Sequence, residues 1–232
     1  LYDVTDQRLD GIKDVTAAHE MLHAVYQRMS ADEKSQIDSL VDEEYKKLSA
    51  DPEFTERMAF YARTEPGARN NELHSIIGTE VTDISPQLET HYRKYFTNRS
   101  KVVALHDGYR SVFTKLDDQA NTLDIQLKQL YQKIQTDKAK HESDSAALDA
   151  DKADLKQRAE SGQISSQAQI TQYNSEVQAV NRRVDALNQL RLSIKNEIEQ
   201  YNLLSDQFNA IQTQTRNLNK SIDSTLAPAA KV

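Results

Sequence analysis

Apolar side chains recur every three or four positions through the first hundred residues, a spacing that predicts amphipathic helices. The segment from Val15 to Met29 contains neither Gly nor Pro and carries an apolar stripe, and Asp14 or Thr16 is its predicted N-cap. Three further signals predict helix starts: a capping box at Ser30-Ala31-Asp32-Glu33, Asp51-Pro52, and Ser85-Pro86.

A further helix is predicted over residues 70–81, with Asn70 or Asn71 as its N-cap and an apolar side formed by residues such as Leu73 and Ile77. Strand character is confined to the stretch from Leu1 to Thr5, which is short. The N-terminal part of the chain is therefore predicted to be a small helical domain.

From about Tyr109 onward Gly and Pro nearly vanish, and apolar residues follow the alternating steps of a coiled-coil seam. One seam runs from Tyr109 to Ile134 and a second from Ile170 to Ile211. The turn signal at residues 160–163 separates them, so the pattern predicts an antiparallel hairpin with its tip near Ser161-Gly162.

This register predicts that Leu127 and Leu130 approach residues 184–198 of the second arm. Polar residues interrupt the predicted seam at His141, Arg191 and Ser205, and such positions usually set register at some cost in stability.

The predicted fold class is all-α, with a helical head at residues 1–104, a coiled-coil hairpin at 105–226 whose turn lies near 160–166, and a tail at 227–232. Only eighteen residues precede His19 and the chain starts with Leu, so an upstream segment is expected to be missing. A signal peptide or membrane anchor could belong to that segment, which leaves the compartment open.

Composition narrows the function classes. The net charge is −7 and no basic block with interleaved aromatic residues occurs, which argues against nucleic-acid binding. The chain contains no cysteine, so any metal site must use His and carboxylate ligands. The coiled coil offers a surface for a protein partner or for self-association.

The segment His19-Glu20-Met21-Leu22-His23 fits H-E-x-x-H, the zinc motif of metallopeptidases. On a helix, His19 and His23 lie four residues apart on one face, so both imidazoles can reach one metal ion. Glu20 follows the first ligand and can accept a proton from a water in the open position, which predicts a catalytic zinc site.

A third ligand is expected from the helix predicted at residues 70–81, where Glu72, His74 and Glu80 are the candidates. Glu72 and His74 point about 200° apart on a helix, so they cannot face the same metal. Glu72 and Glu80 are about two turns apart and share a face.

At these residues the chain resembles the gluzincins, zinc peptidases that combine H-E-x-x-H with a Glu from a later helix. The segment Glu72-Leu73-His74-Ser75, followed by Ile76-Ile77-Gly78-Thr79, is similar to their ligand helix. The resemblance implies zinc as cofactor, hydrolysis of a peptide or protein substrate, and Glu72 as the third ligand, with Glu80 or His74 as a substitute ligand or outer support.

Two residues of the Ser85 helix, His91 and Tyr92, could stabilise the oxyanion of a peptidase, although aromatic core packing is the commoner role of such rings. His106 is expected at the surface. Two functions follow: a zinc peptidase whose arm positions it or recruits a partner, or a coiled-coil scaffold whose head is a degenerate peptidase.

Overall fold

The computed structural model describes residues 4–222, and these residues form helices joined by short connections, with no strand among them. The all-α prediction is confirmed. Most of the predicted Leu1–Thr5 strand and all of the predicted tail at 227–232 lie outside the described residues, and Val4 and Thr5 are not in a strand. A short 3-10 turn at Gln7–Leu9 precedes seven helices: α1 Ile12–Arg28, α2 Ala31–Leu48, α3 Pro52–Thr64, α4 Arg69–Glu80, α5 Pro86–Tyr92, α6 Arg99–Glu160 and α7 Gln167–Ile222.

Three helix starts follow the predicted capping chemistry. The Ser30 side chain accepts from the backbone of Glu33 while the Glu33 carboxylate accepts from the backbone of Ser30, which completes the capping box of α2. Asp51 and Ser85 cap α3 and α5 through their side chains, and each is followed by a proline in the first turn.

The other two predicted caps are wrong. Helix α1 begins after Gly11, whose φ of 90° suits glycine, and neither Asp14 nor Thr16 caps it. Helix α4 begins after Ala68 without a side-chain cap, so neither Asn70 nor Asn71 has that role. In both cases the helix extends further toward its N-terminus than the capping residues suggest.

The chain divides into two compact units. The head unit comprises the described residues up to Leu116 together with those from Thr215 onward, and the arm unit comprises Asp117–Gln214. The predicted boundary after residue 104 falls inside α6, because the first turns of α6 belong to the head, where Val103 and His106 are buried.

Helix α4 is the centre of the head unit, since it packs against α1, α2 and α3. Its residues Leu73, Ile76 and Ile77 are almost fully buried. Gly78 allows α4 to approach its neighbours closely: a Cβ at this position would lie 2.4 Å from Leu22 and 2.7 Å from Tyr92. A small residue is therefore required where α4 meets the helix that carries the H-E-x-x-H motif.

Gly78→Ala is expected to lower the free energy of unfolding by about 1–3 kcal/mol, because the added methyl group overpacks a buried contact. Gly108→Ala is the matched control: Gly108 lies in α6, a Cβ there would have no neighbour within 4 Å, and alanine is a better helix former. Urea unfolding of both variants checks this, and a Gly78→Ala protein as stable as wild type contradicts it.

Arg99, the first residue of α6, fixes the C-terminal end of α4. Its guanidinium donates to the carbonyl oxygens of Val81 at 2.6 Å and Thr82 at 2.9 Å, and to the Glu89 carboxylate at 2.8 Å. Charge-assisted bonds of this kind satisfy carbonyls that have no partner within their own helix. They hold α4, and with it the residues that α4 presents to α1.

In the arm unit, α6 and α7 run antiparallel. Ion pairs join Asp151 to Arg183 and Arg158 to Glu176, and the rings of Tyr131 and Tyr201 lie 6.4 Å apart. Residues closer to the turn in α6 thus meet residues closer to the turn in α7, as a hairpin requires. No helix of the described residues is long and apolar enough to cross a membrane.

The predicted register of the hairpin is wrong by a few residues. Leu130 lines a groove with Gln200 and Leu204, beyond the 184–198 stretch expected opposite it. Residues 161–166 lie outside the helices, within the predicted turn near 160–166, so the difference lies in the alignment of the two arms and not in the place of the turn. Arg191 is exposed, and the buried polar residue of the seam is instead Glu197, which pairs with Lys133 at 2.6 Å.

Candidate metal centre

The two histidines of the motif lie on one face of α1, as their four-residue spacing requires. Their Nε2 atoms are 3.0 Å apart and their rings are nearly perpendicular, with an interplanar angle of 78°. Each side chain keeps 16% of its surface exposed. His19 and His23 therefore point the same nitrogen toward a common position close to solvent.

Glu72 reaches the same position from α4. Its Oε1 lies 3.3 Å from Nε2 of His23, and its Oε2 lies 3.7 Å from Nε2 of His19. Among residues 4–222, these three residues are the group of His, Asp and Glu side chains whose ligand atoms all fall within 4.8 Å of one another. The helix crossing fixed by Gly78 thus brings together residues that are about fifty positions apart in sequence.

The arrangement fits a tetrahedral metal ion. With bonds of about 2.0–2.1 Å to nitrogen and oxygen, the ligands of a tetrahedral zinc are separated by about 3.3 Å. The three measured separations of 3.0, 3.3 and 3.7 Å bracket that value. In addition, Oε2 of Glu72 is buried and accepts no hydrogen bond within the described residues, and a cation at the shared position would satisfy it.

The protonation states also suit a metal. Burial and the nearby charge of His23 lower the pKa of His19, which favours the neutral imidazole that a metal requires. Burial raises the pKa of Glu72, although the charge of His23 opposes this effect. A buried carboxylate with a raised pKa gains from a cation beside it, because the cation stabilises the ionised form.

Glu20 lies beside the three candidate ligands and does not belong to their group. It is exposed on α1, and among residues 4–222 no hydrogen bond or ion pair engages its carboxylate. Its charge acts on both His19 and Glu72, which places it near the metal position. Glu20 is therefore free to bind a water or a substrate proton.

Glu80 has a different environment from that of a metal ligand. Its Oε2 lies 2.7 Å from Nη1 of Arg57 and 3.3 Å from Nε2 of His106, and it does not belong to the converging group. Burial alone would raise the pKa of Glu80, but His106 and Arg57 hold it at about 2. The structure thus places Glu72, rather than Glu80, against the two histidines.

His74 is not a ligand either. Because it points away from Glu72 on α4, it enters the core, where its Nε2 lies 2.9 Å from Nε2 of His91. Burial and the neighbouring His91 lower the pKa of His74 to about 3, and burial and the charge of Lys94 lower the pKa of His91 to about 4. Both rings are therefore neutral and share one hydrogen bond inside the head.

The environment of Tyr92 does not allow it to stabilise an oxyanion. It is fully buried, and its hydroxyl donates to the backbone carbonyl of His74 at 2.7 Å. A hydroxyl hydrogen committed to a core carbonyl cannot meet a substrate. Because His91 is buried against His74, the packing interpretation applies to both residues.

Sequence analysis assigns no role to Arg57, and it treats Tyr61 only as a possible oxyanion stabiliser or as a ring of the core. The charge of Arg57 acts on both His19 and Glu72. The hydroxyl of Tyr61 is half-buried near Glu72, whose charge, after burial, raises the Tyr61 pKa. His106 is buried against Glu80, which makes its expected place at the surface wrong. For Arg57 and Tyr61, their shared face on α3 is the one available signal.

Comparisons of the chain with protein-family models, with curated proteins and with solved structures found no match. We therefore infer the function from the geometry of the site.

Proposed function

We propose that this chain is a zinc-dependent peptidase whose metal is held by His19, His23 and Glu72 and whose general base is Glu20. The observation that carries the proposal is the convergence of the three ligand atoms beside an exposed, uncommitted carboxylate. A site that holds zinc only for stability closes its coordination sphere and has no use for Glu20. The order H-E-x-x-H supports amide hydrolysis in particular.

The residues of the proposed site divide into metal ligands and a general base. His19, His23 and Glu72 would hold the ion and would leave one position of a tetrahedral site open toward solvent, since both histidines are partly exposed. Zinc supplies Lewis acidity that acidifies water and polarises a carbonyl group. Glu20 accepts a proton from the attacking water and returns it to the leaving amine.

The test compares digestion of a broad library of unstructured peptides by zinc-loaded protein, by protein stripped with a chelator, and by stripped protein to which zinc has been returned. Cleavage is expected in the first and third samples and is expected to be lost in the second, because the proposed reaction needs the metal. Cleavage that survives complete removal of zinc contradicts the proposal. Stoichiometric zinc with no cleavage of any peptide favours a scaffold with a structural metal.

A further inference from the structure

The head unit contains a cavity of about 220 Å³ between α3, the end of α4 and the first turns of α6. This α3–α6 cavity is lined by charged residues that include Glu53, Arg57, Glu80, Asp107 and Arg110. Its volume is several times the ≈ 30 Å³ that a water molecule occupies in the liquid, so a side chain of a ligand can enter it.

The cavity lies within reach of a peptide bound at the metal centre. Glu72 and Glu80 share a face of α4 and are about 12 Å apart along the helix axis. Glu80 and Arg57 line the cavity, and their charges also act on His19. An extended peptide advances about 3.3–3.6 Å per residue, so a long side chain one or two residues from the scissile bond spans this distance.

Carboxylates outnumber guanidinium groups in the lining. The cation of Arg57 is paired with Glu80, and that of Arg110 is paired with Glu53 at 2.9 Å. Two further carboxylates line the cavity, and they belong to Asp51 and Asp107. The lining holds no further Lys or Arg to offset them, and the ring of His106 contacts both Glu80 and Asp107.

The remaining lining is apolar and suits the stem of a long basic side chain. Leu48, Phe54 and Val81 contribute to the wall. The guanidinium of Arg57 already lies over the ring of Phe54, 5.4 Å from its centroid. Lys and Arg side chains prefer such surroundings, in which the methylene groups contact apolar surface and the charged end meets carboxylates.

We propose that the α3–α6 cavity binds a basic side chain of the substrate, so that the chain selects peptides with Lys or Arg close to the bond that it cleaves. This inference rests on the proposed function for its choice of a peptide as the ligand. It adds a substrate class, which the metal centre alone does not specify. Asp107 and Glu53 are the carboxylates to replace in testing this selectivity, because Asp51 also caps α3 and because loss of Glu53 leaves the cation of Arg110 unpaired against a basic ligand.

Binding tests the inference without requiring turnover. Peptides that are identical except for Arg, Leu or Glu at one position, scanned over three residues on either side of the central bond, are titrated calorimetrically into the zinc-loaded Glu20→Gln protein. At one position or more, the Arg peptide is expected to bind about fivefold tighter than the Leu peptide, the scale of a partly exposed ion pair. The Glu peptide is expected to bind weakest, and added salt should reduce the differences.

Variants of the lining test whether the cavity is the source of the preference for the Arg peptide. Adding Glu53→Gln and Asp107→Asn to the Glu20→Gln protein should bring the affinities for the Arg and Leu peptides close together, while zinc content stays the same. The matched control adds Glu56→Gln and Asp83→Asn, which remove two exposed carboxylates of the head that do not line the cavity. The control should keep the preference.

Equal binding of Arg and Leu peptides at every position overturns the inference, and so does a preference for Glu, which would assign Arg57 and Arg110 to a substrate carboxylate. The two proposals fail separately. Cleavage by the wild-type protein without a preference for basic peptides removes only the inference. A cavity-dependent preference in binding, with no cleavage by the wild type, keeps the cavity as a site for a basic side chain of a peptide and removes the peptidase.

Discussion

Glu20→Gln is expected to reduce peptide cleavage at least about 100-fold while leaving the fold and the bound zinc unchanged, since general-base catalysis contributes on this scale or more. The amide of glutamine has nearly the shape of the carboxylate but cannot accept a proton from water. Zinc should remain because its three ligands, His19, His23 and Glu72, are untouched. Stability should also remain, because Glu20 is exposed and makes no hydrogen bond or ion pair within residues 4–222.

The measurement is kcat/KM for one cleaved peptide, taken together with zinc content, for wild type and variant. Glu43→Gln is a suitable control, because Glu43 is a carboxylate on α2 with no hydrogen bond or ion pair among the described residues. It should cleave like wild type. Equal cleavage by wild type and Glu20→Gln removes Glu20 from the mechanism, whatever the metal content.

His23→Ala is expected to lower zinc affinity at least about 100-fold and to remove most of the stabilisation that zinc provides. Its imidazole is one of three ligands, and the two that remain cannot hold the ion alone. A metal present at 100 times its dissociation constant stabilises a folded protein by about 2.7 kcal/mol, so the loss appears directly in unfolding experiments.

Thermal unfolding with and without added zinc, alongside metal analysis, measures this effect. Wild type should show a higher Tm with zinc, and His23→Ala should show little change, with its helical circular dichroism retained at low temperature. His141→Ala is the matched control, since His141 lies on α6 within the arm unit and is not a member of the ligand group. A zinc-dependent rise in Tm that is the same in His23→Ala contradicts the assignment.

Local signals predict the helices well where the capping chemistry is complete. Ser30 with Glu33, and Asp51 with Pro52, combine a capping side chain with a second feature in the first turn. Asp14 and Asn71 offer a capping side chain alone, and both helices extend past them. Gly11, with its positive φ, and the packing of α4 at the centre of the head decide those ends.

In the candidate site, too, local spacing predicts some residues, whereas the place of the others depends on contacts between helices. Spacing alone places His19, Glu20 and His23, because the residues belong to one helix. The choice between Glu72 and Glu80 depends on how far α4 slides along α1, which Gly78 and Arg99 set through contacts that no local pattern reveals. His106 and Arg57, the two partners of Glu80, come from other helices, so neither pairing has a signature in sequence.

The predicted register of the hairpin is wrong for a related reason. A seam fixes which face of each helix is apolar, but the alignment of two arms also depends on how many residues the turn uses. The six residues from 161 to 166 form the turn, and the buried Glu197 pairs with the exposed Lys133 at a place that the apolar pattern assigns to no charge.

Zinc K-edge X-ray absorption of the purified protein, with metal content determined on the same sample, tests the central claim most directly. We predict about one zinc per chain with only nitrogen and oxygen ligands at about 2.0–2.1 Å, two of them imidazoles. The imidazole signal should be lost when His19 and His23 are both replaced by alanine. A protein that retains no zinc after incubation with the metal, or one whose imidazole signal survives the double replacement, contradicts it.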